Sequence, residues 1–501
     1  MCICTFLDME EFMIKNLTDI ICKKLNILNE NFKTYPLSYN KVEDLELQMV
    51  VVNNTKYIAV KGKGLSFEAF EGDAIHNGLK LCPLIHTNRL LLNRFLDFTR
   101  PQAFGKDTPT FGAGDRLGLA SPGHIKTISK SSAKPILAQQ SKRELELTGR
   151  TYRDVLDSVS FAVFQEGYKD GFGADGDHLK QESDIIDALN CGYTMITLDC
   201  SEKIGKGIED LTTSAIEEMY CAIPADTRER LENKYLSRTF KINGYQINYT
   251  EEELIKNILI YYEAISYIIS IFRKHIASCG KEIDFEISID ETESTTSEYG
   301  HLFVASEIID AGVKVTSMAP KFIGEFQKGI DYMGDIAAFE KQLEMHAAIA
   351  DHFGYKLSIH SGSDKFSVFG LIGEYTKKRL HIKTSGTNWL EAVGTIAECN
   401  PYLYRQIHKC ALKHFGEAKN FYHVSADISK VPDVDSVSDV SLKEYLVDNH
   451  SRQLLHITYG YILRDPEIKA AIYDTLNENE ALYIHRLEMH IGRHLELVGL
   501  K

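Results

Sequence analysis

Four histidines in this 501-residue chain stand near acids where an apolar run gives way to polar residues: His178 in GADGDHLK, His301 shortly after Asp290-Glu291-Thr292-Glu293, His360 in KLSIHSGSDK and His423 in YHVSAD. Imidazoles and carboxylates that converge with one coordination position left open make a catalytic divalent-metal site, typically zinc or manganese. Each histidine is a candidate ligand, set against the plainer alternative of a hydrogen-bonded structural residue; His423 is equally a candidate substrate contact. Asp177, Glu291 and Glu293 are the carboxylates available to move a hydroxyl proton of a polyol. Glu291 is preferred because it lies nearer the end of its apolar run, and Glu293 reads equally as a helix cap or a solvated acid. Arg116 in GAGDRLG, Lys321 after VTSMAP, Lys365 in HSGSDK and Lys383 in HIKTSG supply cations that would complement a carboxylate-bearing sugar. Ser361, Gly362 and Ser363 add backbone N–H donors at an expected helix start, another anion cradle.

To converge, these residues need a scaffold that gathers strand ends. From Thr110 onward the chain repeats an apolar strand, a polar turn and a helix-length segment, the mark of βα architecture. Nine candidate strands end at Asp115, Gln140, His178, Asp199, Asp290, Pro320, His360, Lys383 and Asp427. That is one more than a TIM-like (β/α)8 barrel needs, so one of the nine is expected to be an edge or a loop. In such a barrel the catalytic face lies at the strands' C-terminal ends. The expected organisation is an α+β appendage over 1–100, a barrel catalytic domain over 101–440 with a helical insertion at 201–280, and a C-terminal helical segment over 441–501. Leu45–Val52 and Lys56–Val60, joined through Asn53 and Asn54, read as a hairpin. Thr250 followed by three glutamates reads as a capping box opening a helix toward Ser278.

Composition narrows the function classes. A formal net charge of -15 argues against a nucleic-acid partner. Ten cysteines without C-x-x-C spacing read as free thiols in a reducing cytoplasm. The apolar residues at 1–7 lack a basic leader and meet Asp8, Glu10 and Glu11, so no signal peptide is expected. Ile255–Phe272 is interrupted by Lys256, Asn257 and Glu263 and reads as a buried helix instead of a membrane span. Gly112, Gly114 and Gly118 miss the dinucleotide fingerprint by one residue. In the tail, His485, His490 and His494 include an i, i+4 pair, but Ile491 stands where a zinc protease has glutamate; a charged, solvated helix face is the expectation.

FGAGDRLGLASPGHI, GADGDHLK, SIDETES with EYGHLFVA, SMAPKFIGEFQKGIDYMGD, LSIHSGSDKFSV, HIKTSGTNWLEA and YHVSADISKVPD together resemble the bacterial tagaturonate epimerase family over roughly residues 100–501. The resemblance implies a metal-dependent cytoplasmic enzyme of hexuronate catabolism that interconverts D-tagaturonate and D-fructuronate. It further implies Asp177 and Glu291 as acid and base, and His178, His301 and His360 as the ligands of a divalent cation. The two ketohexuronates differ at a carbon that the ketone does not acidify, so retro-aldol cleavage and re-addition is the expected route. A metal-dependent aldolase or lyase acting on a sugar acid would use the same residues. A non-catalytic sugar-acid binding protein is the remaining alternative.

Overall fold

The computed structural model describes residues 19–290, 294–384 and 386–501. Eight parallel strands close into a barrel in chain order: β1 (Thr110–Ala113), β2 (Lys134–Ser141), β3 (Gly173–Leu179), β4 (Met195–Asp199), β5 (Asp284–Ile289), β6 (Ser317–Pro320), β7 (Lys356–Ile359) and β8 (Leu380–Thr384). Closure is made where Lys383 on β8 registers with Gly112 on β1. This is a TIM-like (β/α)8 barrel, and eight of the nine expected strand segments form it. The ninth, around YHVSAD, is not a strand. Its side chains do alternate, with Tyr422, Val424 and Ala426 buried, but no neighbouring strand pairs with its backbone.

Strand side chains alternate between two environments. Ile287, Ile289, Ile196, Leu198, Leu357, Ile359, Leu380 and Ile382 join the apolar layer between barrel and helices. Their neighbours Glu286, Thr197 and Lys383 face the lumen, because Lys383 on β8 reaches Glu286 on β5 and Asp175 on β3, strands that do not adjoin β8. Two residues apart along a strand means the same face, so each inward row also ends at the barrel mouth.

Ahead of the barrel, a six-stranded sheet packs Leu45, Leu47, Met49, Ile58 and Val60 against Phe161 and Phe164 of the barrel helix Tyr152–Glu166. The expected hairpin is present, Leu45–Val52 paired antiparallel with Thr55–Lys61. Asn53 and Asn54 turn it with φ of 48° and 62°, the left-handed pair that matches strand twist. Between β4 and β5 lie two short helices, a two-stranded hairpin and the helix Glu251–Ile271, whose Thr250 accepts from the Glu253 N–H. By length and apolarity the stretch Glu251–Ile276 would suffice to cross a membrane. Here Leu254, Ile258, Tyr261, Ile265 and Ile268 are buried in the barrel's outer core. After β8, the helices Gly386–Cys399 and Pro401–Ala418 build a second core with the C-terminal helices from Asn449 to Leu497. The described cysteines are free.

Candidate active site

At the C-terminal mouth of the barrel opens a cavity of about 730 Å³, lined from β2 through β8 and by the loops that follow them. His178, at the end of β3, and His360, directly after β7, meet edge to face with ring centroids 4.7 Å apart. Asp290, directly after β5, joins them, and one ligand atom from each of the three lies within 4.8 Å of the others. His360 Nδ1 is 3.1 Å from Asp290 Oδ2, while its Nε2 is 2.8 Å from Glu286 Oε1 behind it. His178 Nδ1 is 3.4 Å from the buried Asp199 Oδ2, which Lys180 Nζ also approaches at 3.5 Å. Each imidazole therefore backs onto a carboxylate, the arrangement that fixes the tautomer of a ligating histidine. Two imidazoles and a carboxylate with further positions open form a donor set that fits a divalent ion.

Electrostatics favour a cation here. Burial opposes charge on His360, but Asp290 and Glu286 overcome it and raise the ring to about 10. His178 is likewise raised against burial, by Asp177 and Asp199. Burial works to protonate Asp290, yet His360 and His178 hold it below the usual carboxylate range. Around these groups Asp175, Asp177, Asp199, Glu286 and Asp290 are answered by Lys383 and Lys180. Lys383 Nζ lies 2.8 Å from Asp175, 2.6 Å from Asp177 and 2.9 Å from Glu286. Burial raises Asp175 to about 6, helped by Asp177 and Glu286, whereas Lys383 outweighs burial at Asp177 and keeps it ionised.

Not every residue singled out in the sequence arrives at this centre. His301 does not. It lies inside the helix Glu298–Asp310, fully buried, with Nδ1 2.8 Å from His346 Nδ1 and Nε2 2.7 Å from the Tyr355 hydroxyl. Both nitrogens are engaged and burial holds the ring neutral, so His301 stands outside the candidate donor set, whose third member is Asp290. Glu291 and Glu293 lie outside the described residues. Lys383 is no seat for an anion, since three carboxylates already surround it. Lys365 lines the cavity, but its ammonium is committed to the carbonyls of Gln327, Ile330 and Ser363. Arg116 lines it too, paired with Glu144 at 2.7 Å and stacked 3.6 Å from the Tyr459 ring centre. Lys321, Ser361 and Ser363 line the wall, with Ser361 Oγ accepting from Lys328 Nζ at 2.8 Å. His423 sits at the rim, 81% exposed and 3.4 Å from Glu325.

Of the tail histidines only His485 is on the exposed face; His490 and His494 turn inward. His494 is fully buried: its Nε2 accepts the Asp364 N–H at 3.0 Å and its Nδ1 donates to the His490 carbonyl. His490 Nε2 meets Thr387 Oγ1 at 2.8 Å. Although Asp364, His490 and His494 also approach within 4.8 Å, their lone pairs are largely spent on bracing the loop after His360. Arg452 completes the brace, donating to the Gly329 carbonyl at 2.7 Å and to Asp364 Oδ2. Gln453 donates to Gln327 Oε1 at 2.8 Å, which also accepts the Ser425 N–H.

Sequence reasoning passed over Asp290, Asp199, Asp175 and Glu286 as functional groups. Their signal was the polar parity of FEISID, with Glu286, Ser288 and Asp290 alternating with isoleucines, repeated by Asp175 and Asp177 and by Thr197 and Asp199.

Comparison with known proteins follows the same geometry. A family model described as tagaturonate epimerase matches residues 35–498. A relative from Thermotoga maritima named tagaturonate/fructuronate epimerase is 40% identical over 475 residues, covering 93% of this chain and 97% of its own. The native crystal structure of fructuronate-tagaturonate epimerase UxaE from Cohnella laeviribosi superposes with a TM-score of 0.92 at 50% identity, over 94% of this chain and 97% of that one. A glycerol complex of the same protein gives a TM-score of 0.93 at 48% identity, over 98% and 99% of the two chains.

Proposed function

The chain belongs to the tagaturonate epimerase family, and from that premise we propose that it interconverts D-tagaturonate and D-fructuronate in hexuronate catabolism, in the cytoplasm, with a divalent ion held by His178, Asp290 and His360. The observation that supports the metal reading is the convergence of those three side chains, each histidine backed by a buried carboxylate. A divalent ion bound there supplies Lewis-acid stabilisation for negative charge developing on the ketone oxygen.

The carbon to be inverted bears a hydroxyl β to the ketone, so its C–H is not activated by that carbonyl. Retro-aldol chemistry avoids the problem. Removal of the hydroxyl proton turns that C–O into an aldehyde, and the bond to the carbon beside the ketone breaks with its electron pair passing into an enediolate. The aldehyde rotates within the cavity, the enediolate re-adds to its other face, and the proton returns. In this reading Asp177 and Glu291 divide removal and return of the proton. Lys383 keeps Asp177 ionised and fixes its position, 2.6 Å away. Ser361, Ser363, Lys321 and the rim residue His423 supply contacts to the sugar's hydroxyls.

The test is to incubate the protein with each ketohexuronate, after chelation and after return of manganese or zinc, and follow the other epimer by NMR. Failure to form it with any metal would sink the activity, and full turnover in chelator would sink the metal. Run in deuterated water, the retro-aldol route leaves the inverted carbon unlabelled; deuterium at that carbon would replace it with direct deprotonation.

A further inference from the structure

We propose that Tyr422 binds the substrate, its phenol hydroxyl donating to an oxygen of the sugar acid in the cavity. This rests on the hexuronate reading above and adds to it a contact from the segment YHVSAD. The strand-like alternation of that segment sends His423 outward to the rim and Tyr422 inward, where it is 6% exposed and lines the cavity. Arg143, in the helix Lys142–Thr148 that follows β2, holds it there, donating to the Phe421 carbonyl at 3.3 Å and lying 4.7 Å from the Tyr422 ring centre. On the other side Gln327 accepts the Ser425 N–H at 2.8 Å.

The direction of one hydrogen bond decides what Tyr422 has left to give. Its hydroxyl oxygen lies 3.2 Å from that of Tyr459, and by geometry either phenol could be the donor. Tyr459 opens the helix Tyr459–Arg464 and is fully buried, and among the described residues its hydroxyl has no other partner. A buried O–H that donates to nothing is costly, so Tyr459 donates and the Tyr422 oxygen accepts. The Tyr422 proton is thereby left over, and no described residue accepts it. A phenol on the wall of a cavity with its proton unspent is placed to donate to a ligand oxygen.

The charges around the pair strengthen that donor. Arg116, itself paired with Glu144 at 2.7 Å, lies 3.6 Å from the Tyr459 ring centre, and Arg143 stands over Tyr422. A guanidinium over the face of a phenol draws on its π electrons. A hydroxyl that accepts one hydrogen bond also donates the next more strongly. The chain therefore runs from Tyr459 to Tyr422 to the sugar oxygen, each link oriented by the one behind it. It reaches the sugar from the side of β1 and β2, whose following segments carry Arg116 and Arg143. His178, Asp290 and His360 stand at the ends of β3, β5 and β7, so the two sets of groups grip different parts of one ligand, and Tyr422 serves binding instead of the bond-breaking step.

The experiment reads affinity in two ways on the intact protein with manganese added: the Kd of D-gluconate by calorimetry, and KM for D-fructuronate in turnover. Tyr422→Phe should raise both about five- to tenfold and leave kcat within about twofold. It should also lower the urea midpoint, because the Tyr459 hydroxyl loses its acceptor. Adding Tyr459→Phe removes that stranded hydroxyl, so the double variant should return toward the wild-type midpoint while its affinity stays lost. If Tyr422→Phe is folded and binds both probes like wild type, if only kcat falls, or if the double variant regains affinity along with stability, Tyr422 is a packing residue and the proposal fails. The two readings separate cleanly: gluconate bound by wild type and weakened in both variants, with neither ketohexuronate turned over, removes the activity and keeps the contact. Normal epimerisation with KM unaltered in both variants removes the contact and keeps the activity. Wild type that neither binds gluconate nor turns over a ketohexuronate removes both.

Discussion

Lys383 and Asp177 meet at 2.6 Å across the lumen, from strands β8 and β3 that share no edge. The same ammonium holds Asp175 and Glu286, so one cation tunes the acids of two strands. Lys383→Met should remove the one ammonium that pairs with all three carboxylates, leaving Asp175 and Asp177 to repel each other and Glu286. A loss of about 3–5 kcal/mol is expected from breaking so buried a set, with kcat down at least a hundredfold. Adding Asp175→Asn should recover part of the stability, measured by urea unfolding, without recovering kcat. If the single variant unfolds like wild type, the lysine is not the keystone of this network.

Replacing His178, Asp290 or His360 by alanine should abolish stoichiometric metal, read by plasma mass spectrometry after equilibration, and epimerisation with it. Asp199→Asn and Glu286→Gln act one contact further out and should weaken metal affinity by about ten- to a hundredfold. Retained stoichiometry in the Asp290 variant would return the third position to some other group.

His301→Phe should behave oppositely. The substitution strands the hydroxyl of Tyr355 and a nitrogen of His346 in the core, at about 2 kcal/mol, yet metal content should stay at the wild-type level. A variant that loses metal while remaining folded would contradict the placement of His301 among the helices.

Glu480 ties the last helix to the amino-terminal sheet through Lys33, Lys56 and Tyr35. Burial pushes its carboxyl up, but Lys56 and Lys33 overcome that and lower it from 4.5 to about 2. A depressed folded-state value means stability fully present above pH 4.5 and lost as pH falls from there toward 2. The contribution is on the order of 2 kcal/mol after allowing for the solvent-exposed Lys33. Glu480→Gln should therefore be less stable near neutrality, with the gap to wild type closing as the medium is acidified. A gap independent of pH would remove the charge from the account.

The barrel was legible because its strands are short apolar runs cut off by polar turns, and YHVSAD mimicked that pattern for a physical reason. Tyr422, Val424 and Ala426 are buried in alternation as in a strand, but the segment lies over the mouth and is fixed by Gln327 accepting the Ser425 N–H instead of by a ladder. His178 and His360 were found because they end strands. His301 misled because proximity in sequence to Asp290 carries no angular information once a helix opens at Ser297, which turns the ring toward His346. Asp290 was overlooked in favour of its neighbour, although strand parity places it on the inward row with Glu286 and Ser288. His456 carried no local signal at all. It reaches the cavity from a helix that packs against the barrel from a distant part of the chain.

That last dependence bears on the order in which the molecule is made. Arg452 and Gln453 clamp the loops after β6 and β7, and His456 fills the wall between them. Synthesis from the amino terminus delivers all eight barrel strands before any of these three residues leaves the ribosome. A nascent chain can thus close its barrel and still have an unfinished mouth, one whose His360 loop lacks its clamp. The finished pocket depends on the C-terminal helices that supply Arg452, Gln453 and His456.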